Sequence, residues 1–161
     1  MKLKILISLL SLAAPLLASC AVDSKANTNT PLPTVNYSVI ASGDNTINGQ
    51  PENKKLEVFT NQSAFNSSFY LYIQPIAEQT VDFSSRRVAL LSLGGRPTGG
   101  YSISAEKIED FGDHIKATVL IKKPGPNCIV TQALTSPYQF VEVESTKELL
   151  FEERVELVDC K

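Results

Sequence analysis

Val88-Ala89-Leu90-Leu91-Ser92-Leu93-Gly94-Gly95-Arg96-Pro97-Thr98-Gly99-Gly100-Tyr101-Ser102 is the stretch around which the chain is organised. Its first six residues form a nearly unbroken apolar run. Such a short run fits a central strand covered on both faces. From Tyr101 onward, Tyr101, Ile103 and Ala105 alternate with polar residues, as in a strand with one wet face. Between the two lie four of the chain's eight glycines and one proline. Glycine admits positive φ and lets another backbone come close, and proline fixes φ at the start of a turn. The stretch therefore predicts strand, sharp connection, strand, with Arg96 at the tip of the connection.

Downstream the pattern stays β. Ile115, Ala117, Val119 and Ile121 alternate with outward Lys116, Thr118 and Lys122. Pro124-Gly125-Pro126-Asn127 turns the chain. Tyr138, Phe140 and Val141 to Val143 predict a further strand. Leu149, Phe151, Val155 and Leu157, alternating with Glu152, Arg154 and Glu156, predict the last. Upstream, Tyr37, Val39 and Ala41 suggest a short strand and Lys55 to Phe59 another, with turn chemistry at Ser42–Asn45 and Asn48–Pro51. Thr60 or Asn61 is a natural N-cap for one short helix, whose apolar face would hold Phe65, Phe69, Leu71 and Tyr72. Phe69–Ile73 is equally strand-like in composition. The expected fold is mainly β with one short helix: an antiparallel sandwich or a partly open barrel.

The first residues read as an address. Lys2 and Lys4 precede an apolar core, Ile5 to Leu12, that is too short to span a bilayer, which predicts a signal peptide over residues 1–19. Leu17-Ala18-Ser19-Cys20 resembles the lipobox of bacterial lipoproteins. That resemblance implies cleavage before Cys20, lipidation of Cys20, and a membrane contact made through the lipid. Ala21 after the cysteine points to the outer membrane, facing the periplasm or the surface, if the cell is Gram-negative. Residues 20–36 are polar, small and proline-containing, as in a flexible tether. Residues 37–161 are then one β-rich domain.

Charge and cysteine usage fit export. Losing Lys2 and Lys4 with the leader moves the formal charge from −2 to −4. An acidic balance argues against nucleic acid, which is bound by basic patches. With Cys20 lipidated, Cys128 and Cys160 remain, and in an oxidising compartment they most simply pair. No metal is expected, because a structural zinc site wants about four Cys or His ligands. No cofactor is expected either.

Catalytic readings find little support. The single histidine, His114, sits in a hairpin-like Asp110-Phe111-Gly112-Asp113-His114 and has no nucleophile elbow or metalloprotease motif to serve. Glu109/Asp110 and Glu152/Glu153 are adjacent pairs whose side chains diverge on strands, so they form no shared-proton dyad. The glycine stretch lacks phosphate-loop spacing, and a strand follows it rather than a helix. The protein is expected not to be an enzyme.

Leu93-Gly94, Arg96-Pro97-Thr98-Gly99-Gly100-Tyr101-Ser102, Val81–Ser84 upstream and Val130–Tyr138 downstream together resemble the PrcB C-terminal-like family, over about Lys54 to Val155. The family is mainly small exported bacterial proteins, often lipoproteins, named for an accessory subunit of a surface protease complex. The resemblance implies a non-catalytic module binding another exported protein, such as a protease. The contact loop would be Gly94, Gly95, Arg96, Pro97, Thr98, Gly99, Gly100 and Tyr101. Pro97–Tyr101 also resembles the Asn-Pro-Thr-Thr-Gly-Tyr loop of chagasin-like peptidase inhibitors, which implies inhibition as an alternative. It departs from that loop at Arg96 and Gly99, and there is no tryptophan for the inhibitors' second loop. A purely structural envelope lipoprotein is the remaining alternative.

Overall fold

The computed structural model describes residues 32–47, 53–74 and 77–160. The expected signal peptide, Cys20, most of the tether and the turn at 48–51 lie outside them. Seven strands and one helix follow in order: β1 Tyr37–Gly43, β2 Lys55–Phe59, α1 Gln62–Tyr72, β3 Arg87–Ser92, β4 Ser102–Asp110, β5 His114–Pro124, β6 Tyr138–Val143 and β7 Glu148–Val158. Two sheets form, β1-β6-β3-β2 and β4-β5-β7. They stack as an open sandwich, with α1 covering the outer face of the four-stranded sheet.

The apolar run of β3 explains the layering. Val88 and Leu90 point to the helix side and join Phe65, Phe69 and Phe140 in an aromatic cluster. Ala89 and Leu91 point the other way, into a core with Ile103, Ile115, Val119 and Val141 between the sheets. A strand loaded on both faces can sit only in the middle layer. β6 is built likewise, with Phe140 facing the helix and Val141 and Val143 facing the second sheet.

Asn61 caps α1, its Oδ1 accepting from the Ala64 N–H at 2.9 Å. Phe65, Phe69 and Tyr72 are buried at helical spacing, while Leu71 is 55% exposed. Leu71 falls one position off the stripe that Phe65 and Phe69 define, so it does not share their face.

One neighbour relation departs from the all-antiparallel expectation: β5 and β7 run parallel, from His114↔Glu148 to Pro124↔Val158. Parallel partners need a long crossover, and here β6 supplies it by inserting into the other sheet between β1 and β3. The strands of β7's first half keep their expected alternation. Beyond Glu153 the inner face is no longer covered, and Val155 and Leu157 are 52% and 68% exposed.

Candidate functional site

Two segments far apart in sequence make one unit. The connection after β3 lies along residues 131–137, which precede β6. Leu93 N donates to Pro137 O at 3.0 Å, Arg96 N to Thr135 O at 2.7 Å, Thr135 N to Arg96 O at 3.0 Å and Gly99 N to Thr131 O at 3.0 Å. The Thr135 hydroxyl donates to Thr98 O at 3.0 Å. Backbone groups that a surface loop would leave to water are thus paired within the protein.

The glycines are required by this packing. Gly94 has φ +70°, and a Cβ there would come within 2.5 Å of the Asn53 carbonyl carbon. Gly100 has φ +86° and would press on Val130 and Pro124. A Cβ on Gly99 would run into the Thr131 hydroxyl. The segment behind Gly100 is fixed in turn by the Cys128–Cys160 disulfide and by Gly125 N donating to Val158 O at 3.0 Å. The two cysteines that the sequence leaves for pairing are therefore joined.

Within the expected contact loop, side chains are unequally available. Pro97 is exposed, and Gly94 and Gly99 are buried. Arg96 is not at the tip as expected. Its backbone bridge to Thr135 turns it inward and leaves it half-buried, Nη2 donating to Leu93 O at 2.5 Å and the guanidinium 5.9 Å from the Tyr101 ring centroid. The tip is Pro97.

Arg96 and Tyr101 line a small cleft of about 120 Å³, together with Leu93 and Ile121. Lys54, Lys123, Glu153 and Val155 complete it. The Lys54 ammonium donates to both Glu153 oxygens, at 2.6 and 2.8 Å. These three charged residues were missed in the sequence. Lys123 did leave a signal, because it continues the inward row Ile115, Ala117, Val119, Ile121 by one more step of two. Lys54 and Glu153 left none, since only the stacking of the sheets brings them together.

The acids of the two adjacent pairs are engaged separately. Glu109 pairs with Lys107, and Asp110 with Lys147 at 2.6 Å. Glu152 pairs with Lys116, whose hydrogen bond holds its carboxyl below the usual range. The adjacent pairs diverge as strand geometry requires. His114 opens β5, stacks on Phe111 and lies 2.6 Å from Asp113 Oδ1, whose pKa this contact lowers. Among the described residues, no group of three or more His, Cys, Asp or Glu side chains gathers in a way that could hold a metal ion.

Residues 87–144 match the family model described as PrcB C-terminal. The matched residues run from β3 to β6 and include both halves of the braced unit, so the resemblance carried by Gly94–Tyr101 and Val130–Tyr138 holds. Val81–Ser84 and the flanks to Lys54 and Val155 lie outside the match. No curated protein and no solved structure matches the chain significantly.

Proposed function

We propose that this protein is an exported, lipid-anchored, non-catalytic module that binds another exported protein, and that this partner is a protease. The observation that carries the reading is the braced loop: two separate segments, both inside the family match, are hydrogen-bonded into a rigid platform that lifts Pro97 into solvent. A preformed loop loses little conformational freedom on binding, which favours recognition. The lipobox-like Leu17–Cys20 supports an anchor that keeps the module at a membrane. The family's namesake, an accessory subunit of a protease complex, supports the choice of partner.

The test is site-directed photo-crosslinking in intact envelopes. A photoreactive residue at Pro97 should trap a protease, while one at the opposite hairpin tip, Gly112, should not. Equal capture at both positions, or none at Pro97, would refute the reading. Cys20→Ala in the same cells should move the chain out of the membrane fraction; retention there would refute the lipid anchor.

A further inference from the structure

We propose that the cleft beside the braced loop receives the carboxylate of an Asp or Glu side chain in an extended segment of the partner. This rests on the protein-binding reading above and narrows it to a chemistry. About 120 Å³ is well below the roughly 300–1,000 Å³ of a site for a whole small molecule, so the space suits one side chain.

Its charge is unbalanced. Both Glu153 oxygens are occupied by Lys54. Arg96 and Lys123 have no ion-pair partner among the described residues. The Arg96 guanidinium is also incompletely satisfied: Nη2 has an acceptor in Leu93 O, but the buried Nε has none. A buried donor without a partner is costly, and a carboxylate drawing Arg96 toward it would supply the missing acceptor.

The other wall is apolar, made by Leu93, Ile121, Val155 and the Tyr101 ring. Cations beside an apolar wall fit a carboxylate on a short aliphatic stem. A bare inorganic anion would leave that wall wet. Past Val155 the same face of β7 presents exposed Leu157, so a chain carrying the acid can continue along this ledge. A free C-terminus would stop in the cleft and leave the ledge uncovered.

The experiment measures fluorescence anisotropy of dye-labelled, C-terminally amidated Ala-Leu-Glu-Leu-Ala against its Gln counterpart, titrated with the full chain. The Glu peptide should bind at least tenfold more tightly. Lys123→Gln should abolish that difference and Arg96→Gln should reduce it. Lys123 is exposed and has no ion-pair partner among the described residues, so its variant tests the proposal whatever Arg96→Gln does to the loop. Equal affinity of the two peptides, or a difference that survives Lys123→Gln, would overturn it. So would tighter binding of Ala-Leu-Ala-Leu-Ala with a free C-terminus. If the peptides fail while crosslinking at Pro97 succeeds, the carboxylate site falls and the binding module stands. If the crosslink fails while the peptide difference holds, the site stands and the protease reading falls.

Discussion

Gly94 and Gly112 share a positive φ, +70° and +96°, and nothing else. Gly94 lies against the backbone of Asn53, inside a connection that hydrogen bonds tie to residues 131–137. Gly112 turns a two-strand hairpin, and a Cβ there would meet nothing within 4 Å. One glycine answers to its own dihedral alone. The other answers to its dihedral and to a second piece of chain. The Gly112 tip is tied to other segments below the turn, through Asp110, whose N–H donates to Pro33 O and whose carboxylate accepts from Lys147, whereas the Gly94 connection is bonded through its own backbone to residues 131–137.

Replacing Gly94 with Ala is the largest challenge to that contrast. It combines left-handed strain with a backbone clash, and the two together should destabilise the fold by about 4 kcal/mol in urea unfolding. Removing the Cys128–Cys160 staple should come next. Its separation of 32 residues corresponds to about 3–4 kcal/mol in the chain-entropy account. Amide exchange should rise first at Gly125 and Gly99, whose N–H groups donate to Val158 O and Thr131 O, and hardly at Gly112. Gly112→Ala should cost only about 1 kcal/mol, the price of the dihedral. A loss as large as that of Gly94→Ala would erase the distinction between the two turns.

The smallest effect separates the tips by pH. Asp110 is held below the usual carboxylate range, first by the Lys147 hydrogen bond and then by the Gly112 N–H. A depressed carboxylate stabilises the fold above its unfolded pKa, and that contribution fades as pH falls through the lower, folded value. Below about pH 4 the protection of amides around Gly112, taken relative to their intrinsic exchange rates at each pH, should fall. The loop at Gly94, braced by backbone groups that do not titrate, should be unaffected beyond any global change.

The parts legible in the sequence were those set by local pattern. Val88–Leu93 carried the middle layer, because only a doubly covered strand tolerates such a run. Asn61 and the Phe65/Phe69/Tyr72 spacing carried the helix. Strand parity was also readable on β7, since Leu149, Phe151, Val155 and Leu157 do share a face. What parity does not encode is how far the opposite sheet reaches, so Val155 and Leu157 end up uncovered. The Arg96–Thr135 bridge, which turns Arg96 inward, and the Lys54–Glu153 pair were invisible too. The bridge extends the ladder between β3 and β6, strands far apart in the chain, and the ion pair forms only once the two sheets have stacked. The cleft was therefore unreadable in advance, although its loop was the most conspicuous stretch of the chain.

The parallel pairing of β5 with β7 bears on how the molecule assembles. The intervening β6 belongs to the other sheet, between β1 and β3, so neither sheet is contiguous in the chain. β7 reaches β5 only after the chain has passed through the four-stranded sheet. Most pairings close long loops, a topology associated with slow, all-or-none folding. Until its last strand docks, the chain therefore exposes β5 as a bare eleven-residue edge, an invitation to pair with other chains that only complete synthesis through Val158 removes.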